Sequence, residues 1–409
     1  MTIHPGPSLP RRTVLGAGLM GAGLTGAGLV LAGAAGCRAD PGRPGDPATG
    51  GDSASSDPAA RDRLLAAWGD AVRTGDVEAE SGLFPDGQAP SAAACGLAAF
   101  DVAAEPEQPD TVRVTWQLPE DRAQTHRLGI GVVGGQGEWL LTRTEPGGDA
   151  AVPLWWLGQC RAVSGTRSAA LVATADPHAP WGARPISDWL DLADRAVATA
   201  GERTGRDHVR LWLQLASTPE QLARLGVTAS ATAAGGAWVM GDGPMHVVLD
   251  PGVAGALNEA EAGALLLHET VHVLTDSGRT DLPLWVEEGY AEAVTWADDE
   301  QGGWLQAGDL LAWIAAEGAD GLTIPTDDEF AGADAYVRAW SLCLWMQDHH
   351  RDGWQALRCW YDRQAPPSAG GPDTRRTASD ALAEVFGLSE HERLVRWRRW
   401  MAEQAGRRG

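Results

Sequence analysis

The chain has 409 residues, of which 44% are hydrophobic, and it carries a formal net charge of −23 at pH 7. A chain of this length and apolar content is long enough for one export segment followed by two folded domains. The excess of acidic residues argues against electrostatic binding to nucleic acid or to anionic lipid, because both of these partners are themselves negatively charged.

The beginning of the chain is predicted to be an export signal. Arg11 and Arg12 precede a long run of glycine, alanine and leucine, which is typical of twin-arginine secretory signals. The segment 31–37 resembles a bacterial lipobox with Cys37 as the acylated residue, although Ala34 stands where the lipobox prefers leucine. We therefore expect an extracytoplasmic lipoprotein that is anchored in the cell membrane through Cys37. The alternatives are an uncleaved membrane anchor and a secreted protein that is cut nearby.

A flexible linker and a small folded unit are predicted to follow. Residues 38–59 are rich in proline, glycine, serine and aspartate and lack an apolar period, as solvated linkers do. Residues 60–80 have the pattern of an amphipathic helix with Leu65 and Trp68 on its apolar side. Antiparallel strands are predicted over Thr111–Leu118, His126–Val133 and Glu138–Arg143. A leading helix followed by a curved sheet resembles the small α+β cone domains of the nuclear-transport-factor-2-like (NTF2-like) kind.

The middle of the chain has the pattern of a second α+β unit. Its predicted elements are a helix over Ile186–Thr199, a half-buried strand over Val209–Leu215, a short helix capped by Ser217 or Thr218, and a hairpin over Ala237–Leu249. This hairpin is our candidate for an edge strand that pairs with an extended substrate, and an ordinary structural hairpin is the alternative. His246 is interpreted as a strand residue without a catalytic part.

Two further boundaries are predicted by local pattern. Asn258 and Glu261 form a predicted capping box, in which each side chain binds a backbone N–H at the start of the next helix. Towards the end of the chain, residues 365–380 have the composition of a loop, and Ala381–Gln404 is predicted to be one helix that packs on the rest of the domain.

The apolar stretch LLLHETVHVL carries the residues that point most directly to chemistry. His268 and His272 lie four residues apart, so a helix places both imidazoles on one face, where they can bind one metal ion. Glu269 would lie beside the open coordination position as a general base. This HExxH pattern is typical of zinc hydrolases. The alternative is a buried helix whose histidines only form hydrogen bonds within the core.

The stretch WVEEGYAE is predicted to supply the third metal ligand. A catalytic zinc site has three protein ligands and one water, and Glu288 is the best candidate for the third ligand. Glu292 lies one turn later on the same face and can accept the second N–H of a ligating histidine. Glu287 is the competing ligand, but it faces about 100° away. Gly289 lacks a side chain and would let the two metal-binding helices approach closely. The alternative is an acidic, solvated helix face.

These two stretches together resemble the gluzincin metallopeptidases, in particular the bacterial peptidase MA-like group with its HExxH and WLxEGxAE motifs. The residues on that group's fixed positions are Trp285, Glu288, Gly289, Ala291 and Glu292. The resemblance covers roughly residues 205–350. It implies a zincin-like fold in which zinc is held by His268, His272 and Glu288. It also implies that Glu269 is the base that activates water for hydrolysis of a peptide bond.

A second donor to the reaction's oxyanion is also expected from this resemblance. Related enzymes place a tyrosine or histidine from a later helix near the reacting carbonyl, and Tyr336 is our candidate here. The alternative for Tyr336 is a core aromatic residue whose hydroxyl is satisfied elsewhere. Arg338 is interpreted either as a partner for a substrate carboxylate or as a surface residue.

The cysteines predict two disulfides, because four of them remain beside Cys37 in a compartment that would be oxidising. Cys95 and Cys160 flank the first folded unit. Cys343 and Cys359 lie on two predicted helices on either side of a turn, which an antiparallel helix pair would bring together. The alternative is free buried thiols.

The sequence thus predicts an α+β protein in which a zincin-like metallopeptidase domain follows an NTF2-like domain. The segments are a signal peptide over 1–37, a linker over 38–59, the small α+β domain over 60–160 and the metallopeptidase domain over 161–409. We expect a monomeric, zinc-dependent enzyme that hydrolyses a peptide or protein substrate at the cell surface. The alternative is a catalytically inactive lipoprotein of the same fold that binds or senses a partner. The presence of Glu269 favours the enzyme, since a scaffold needs no base.

Overall fold

A computed structural model gives the structure of this chain. It describes residues 58–85, 87–135, 138–144, 151–174, 181–206, 210–225, 235–239, 243–277, 282–364 and 377–408. The predicted export signal with Cys37, nearly all of the predicted linker and most of the loop predicted over 365–380 lie outside these ranges. Within them, no helix has both the length and the apolar character needed to cross a membrane.

The first folded unit is a helix packed on an antiparallel sheet. Its elements are α1 (Pro58–Thr74), α2 (Val77–Gly82), β1 (Ala99–Glu105), β2 (Gln108–Gln117), β3 (Gln124–Gly135) and β4 (Glu138–Thr144). The strands pair in the order β1-β2-β3-β4. Helix α1 packs on β1 and β4 and buries Leu65, Trp68 and Val72. The helix predicted over 60–80 is interrupted, because Gly75 adopts a φ of 69° after the last turn of α1.

The second sheet is mixed, with parallel strands inside and antiparallel strands outside. Its strands are β5 (Arg161–Ser164), β6 (Ser168–Val172), β7 (Leu211–Leu215), β8 (Gly235–Val239) and β9 (Met245–Leu249). They lie in the order β5-β6-β7-β9-β8. The pairs β6–β7 and β7–β9 are parallel, whereas β5–β6 and β8–β9 are antiparallel. The predicted hairpin is therefore confirmed, and among the described strands β8 lies at one edge of the sheet.

The two faces of this second sheet are covered by different parts of the chain. The helices in this region are α3 (Ile186–Thr204), α4 (Pro219–Arg224), α5 (Pro251–Ala254) and α6 (Glu259–Thr275). Leu213 and Val247 face α3 and α6 within one apolar core. Trp212 and Val248 face the other way and belong to the core of the first unit. Because strand side chains alternate between faces, the sheet forms the middle of three layers.

The rest of the chain is a helical layer that packs against α6. Its helices are α7 (Leu284–Thr295), α8 (Glu300–Gln306), α9 (Gly308–Glu317), α10 (Ala333–Asp348), α11 (Gly353–Gln364), α12 (Ala378–Phe386) and α13 (Glu390–Arg408). Helix α7 lies between α6 and α10. The prediction of one helix over Ala381–Gln404 is wrong, because Gly387 ends α12 with a φ of 64° and Ser389 caps a new helix. The prediction of an α+β fold is confirmed.

Candidate metal centre

Helix α6 carries two histidines into the interior of the molecule. The helix begins at a complete capping box, in which Asn258 accepts the backbone N–H of Glu261 and Glu261 accepts that of Asn258. This confirms the predicted boundary. His268 and His272 lie one turn apart on the buried side, with exposed fractions of 2% and 1%. Their Nε2 atoms are 3.0 Å apart, so both imidazoles point at the same place.

Helix α7 brings a carboxylate to these imidazoles. Oε2 of Glu288 lies 3.1 Å from Nε2 of His268 and 3.3 Å from Nε2 of His272. Glu288 is 1% exposed, and its Oε1 has no hydrogen-bond partner among the described residues. Glu287 is also buried but does not belong to this group. The structure therefore brings together the two predicted histidines and the predicted third ligand.

The three side chains have the geometry and the chemistry of a metal-binding group. Among the His, Cys, Asp and Glu side chains of the described ranges, these three form a cluster whose donor atoms lie close enough together to share one ion. A tetrahedral zinc site with metal–ligand distances of about 2.0–2.1 Å separates its ligand atoms by about 3.3 Å. The observed separations of 3.0, 3.1 and 3.3 Å fit such a site. Two imidazoles and one carboxylate also form a donor set that zinc accepts.

The carboxylates and the imidazoles of this group shift each other's pKa values. Burial by itself would lower the pKa of His268, but the carboxylates of Glu292, Glu288 and Glu269 outweigh it and hold this pKa well above its ordinary value. Burial would raise the pKa of Glu288, but the imidazoles of His272 and His268 hold it at about 2. Glu288 therefore stays ionised at neutral pH, and a metal ion at this place competes with a proton on His268.

Glu292 faces the far side of the first histidine. Its Oε1 lies 3.3 Å from Nδ1 of His268, as the sequence predicted for a residue one turn after Glu288. Its Oε2 accepts a hydrogen bond of 2.6 Å from the indole N–H of Trp296. A carboxylate on the second nitrogen fixes the tautomer and the orientation of a metal-binding imidazole. Trp296 is a supporting residue that the sequence analysis missed, although its spacing of four residues from Glu292 indicates a contact on a helix.

Ser277 holds the far side of the second histidine, and the sequence analysis missed it as well. Its Oγ lies 3.0 Å from Nδ1 of His272, and the residue is 1% exposed. The contact depends on Asp276, which ends α6 in the left-handed conformation with a φ of 54° and so turns the chain back towards the helix. No spacing rule relates the two contacting residues, so only the folded geometry identifies the pair.

Glu269 lies between the two histidines in the chain and is fully buried. Its charge contributes to the raised pKa of His268, so the carboxyl group lies within electrostatic reach of the metal-binding group. A general base must lie within hydrogen-bond reach of the proton that it accepts, directly or through one water. Its assignment as that base remains a prediction.

Tyr336 and Arg338 occupy the buried side of α10. Tyr336 is 1% exposed and packs edge-to-face against Phe330 at a ring distance of 5.0 Å, and its predicted part in catalysis is not tested by this contact. Arg338 is 7% exposed, so it is not the surface residue considered above. Its guanidinium lies 2.6 Å from Glu329 and 2.7 Å from Asp334, and these two carboxylates already balance its charge.

Neither predicted disulfide is present, because all four cysteines in the described part of the chain are free thiols. The neighbouring thiol of Cys160, together with burial, raises the pKa of Cys95. The sulfur of Cys343 faces α7, where it lies 3.0 Å from the place that a Cβ would take at Gly289. It thus points at α7, whereas the prediction placed it against Cys359 on α11.

Comparison of the sequence with models of known protein families and with curated proteins finds no match. The functional interpretation therefore depends on the geometry of the buried group and on the motif that carries it.

Proposed function

We propose that this protein is a zinc-dependent peptidase of the gluzincin type. The observation that carries the proposal is the buried triangle of His268, His272 and Glu288, whose donor atoms lie 3.0–3.3 Å apart. Its three protein ligands leave the fourth tetrahedral position for water, which distinguishes a catalytic zinc site from a structural one. Glu269, next to the first ligand in the chain, gives the site a base that a structural metal does not need.

The chemistry divides between the metal and the protein. Zinc, when bound, supplies a Lewis acid that polarises the scissile carbonyl and lowers the pKa of water towards about 7. Glu269 accepts the proton of the attacking water and then delivers it to the amine that leaves. Ser277 forms a hydrogen bond with Nδ1 of His272, and the carboxylate of Glu292 lies 3.3 Å from Nδ1 of His268, so that each Nε2 is left free to bind the metal. Tyr336 is our candidate for a further donor to the developing oxyanion.

The order of elements supports a zincin-like fold for the second unit. Helix α6 lies under the mixed sheet and contacts both β8 and β9. The edge strand β8 has one unpaired side among the described strands, so an extended peptide can pair with it above the metal-binding helix. In the first unit, the packing of α1 on a four-stranded antiparallel sheet supports an NTF2-like cone.

Location at the cell surface is a second part of the proposal, and it depends on the sequence before residue 58. A lipid on Cys37 would anchor the enzyme, and the segment 38–59 would then hold the folded units away from the membrane. Expression of the full chain with Cys37→Ala is expected to move the protein from the membrane fraction to the medium. Retention of the variant in the membrane fraction would favour an uncleaved anchor.

The enzymatic proposal is tested by cleavage of a peptide library. Purified protein reconstituted with zinc is compared with Glu269→Gln and with Glu259→Gln, an exposed carboxylate on the same helix that serves as the matched control. We expect Glu269→Gln to reduce kcat by about 10²–10⁴-fold while it still binds zinc. The Glu259→Gln variant is expected to retain wild-type activity. Cleavage that does not depend on Glu269 would contradict the proposal, and zinc binding without any cleavage would favour the inactive binding module.

A further inference from the structure

One loop of the first unit reaches the end of the metal-binding helix. This β2–β3 loop, residues 118–123, contains three consecutive charged residues that pair with three separate elements of the second unit. The pairs are Glu120 with Arg210 before β7 at 3.0 Å, Asp121 with His246 in β9 at 2.8 Å, and Arg122 with Asp276 at the end of α6 at 3.7 Å. Glu120 has a φ of 60°, which is uncommon for a residue with a side chain. A strained residue persists only where its surroundings fix it.

The central pair is the one that fixes the loop. The side chains of Asp121 and His246 are only 9% and 1% exposed, so solvent screens their interaction little. Nε2 of Gln214 lies 2.8 Å from Nδ1 of His246, and with this amide as donor the Nε2–H of His246 donates to Asp121. The two flanking pairs each have one partner that is well exposed to solvent, so each is individually weak. The buried pair therefore docks the loop, and the outer pairs set its orientation.

The third partner of the loop belongs to the turn that holds a metal ligand. Asp276 is the left-handed residue at the end of α6, and the next residue, Ser277, places its Oγ 3.0 Å from Nδ1 of His272. Any shift of this turn changes the length or the angle of that hydrogen bond. Arg122 contacts the turn from outside the second unit, so it links the first unit to the orientation of a metal-binding imidazole.

We propose that the β2–β3 loop is a functional part of the metal centre. It holds the turn Asp276–Ser277, and through Ser277 it sets how tightly His272 binds the metal. Ser277 and Arg122 are positioning residues in this arrangement, because neither touches the metal or the reacting atoms. The inference rests on the proposed zinc site, and it makes zinc affinity depend on a residue of the first unit. Displacement of the loop would therefore loosen the metal without altering any ligand.

The test is zinc affinity of the purified protein, measured by competition with a chromophoric chelator. Ser277→Ala is expected to weaken zinc binding about 10–100-fold, as the loss of outer hydrogen-bond partners does in metal sites. Ser277→Thr keeps the hydroxyl and is expected to restore most of the affinity. Arg122→Glu places a negative charge against Asp276 and is expected to weaken binding about two- to fivefold. Arg127→Glu is the matched control, since Arg127 is an equally exposed arginine paired with Glu105 inside the first unit.

A double-mutant cycle decides whether the loop acts through the serine. Arg122→Glu is expected to change zinc affinity little when Ser277→Ala is already present. Circular dichroism of the metal-free proteins verifies that each variant is folded. The inference is overturned if Arg122→Glu changes zinc affinity no more than Arg127→Glu does. It is also overturned if Arg122→Glu weakens zinc binding equally with and without Ser277→Ala. Either result leaves the proposed zinc site itself standing. If the wild type binds no zinc, or binds it as well after His272→Ala, the proposed function fails and the inference fails with it.

Discussion

Glu80 is a carboxyl group in the core of the first unit, and it makes the stability of the protein depend on pH. It is 1% exposed and accepts hydrogen bonds of 2.9 Å from the indole N–H of Trp68 and from the backbone N–H of Ala93. Burial nevertheless dominates and raises its pKa above the ordinary value. Its contribution to stability is therefore fully present below the unfolded pKa of about 4.3 and is lost as the pH rises through the folded pKa.

The prediction compares the wild type with Glu80→Gln, which cannot ionise. The free energy of unfolding of the wild type minus that of the variant is expected to decrease from about pH 4 towards pH 8. If glutamine fails to accept one of the two hydrogen bonds, the difference in free energy of unfolding shifts by the same amount at every pH, and its slope with pH is unchanged. Urea denaturation at several pH values measures this difference. A difference that stays constant or increases with pH would show that Glu80 is not destabilised by burial.

At the same scale, the sequence correctly predicted which residues lie one helical turn apart on the same face of a helix. His268 and His272 are four residues apart, and so are Glu288 and Glu292, and each pair lies on one helix face as expected. The sequence did not predict Ser277, because its contact with His272 depends on a left-handed turn whose geometry no residue type specifies uniquely. It also placed Cys343 wrongly, since spacing from a turn does not determine which helix a side chain faces.

At the scale of elements, Gly289 lets α7 pack closely against α10. The sequence had predicted that this glycine allows a close approach between α7 and α6. A Cβ at this position would lie 2.8 Å from the backbone oxygen of Ala339 and 3.0 Å from the sulfur of Cys343, both on α10. Gly289→Ala is expected to reduce the free energy of unfolding by about 1–3 kcal/mol, because the backbone of α10 cannot move aside. Zinc binding should weaken as well, since Glu288 would shift with α7.

The matched control for this substitution is Gly263→Ala in α6. There a Cβ would meet only the side chain of Leu192, at 3.4 Å. Alanine is a better helix former than glycine, so Gly263→Ala is expected to be neutral or to stabilise the protein by up to about 1 kcal/mol. Chemical denaturation of both variants without metal measures the two effects. Equal effects of the two substitutions would contradict the close packing of α7 on α10.

Elements with their own local pattern were predicted, and elements without one were missed. The hairpin β8–β9 and the helices α3 and α6 have alternating apolar residues, turn residues or caps, and all were predicted. The strand β6 was missed because Ser168–Val172 is a short apolar run, which periodicity cannot distinguish from a helix segment. The strand β1 was missed as well, although it pairs with β2 in a hairpin.

At the scale of the whole molecule, the two units share one apolar core. Trp212, Val248 and Leu171 of the second sheet are at most 2% exposed because the first unit covers them. A fragment that begins at residue 161 would expose this face to water. We expect it to be insoluble or to lack cooperative unfolding, whereas the chain from residue 58 onward should unfold in one transition. A soluble fragment 161–409 with a sharp thermal transition would show instead that the predicted domain boundary separates independent units.

The zinc content of the purified protein tests the proposed site most directly. Elemental analysis compares the wild type with Glu288→Gln and with Glu287→Gln, its buried neighbour on α7, which is not part of the metal-binding group. We expect about one zinc per chain in the wild type and in Glu287→Gln, and a loss of most of it in Glu288→Gln. No zinc in the wild type, or equal zinc in all three proteins, would contradict a metal centre formed by His268, His272 and Glu288.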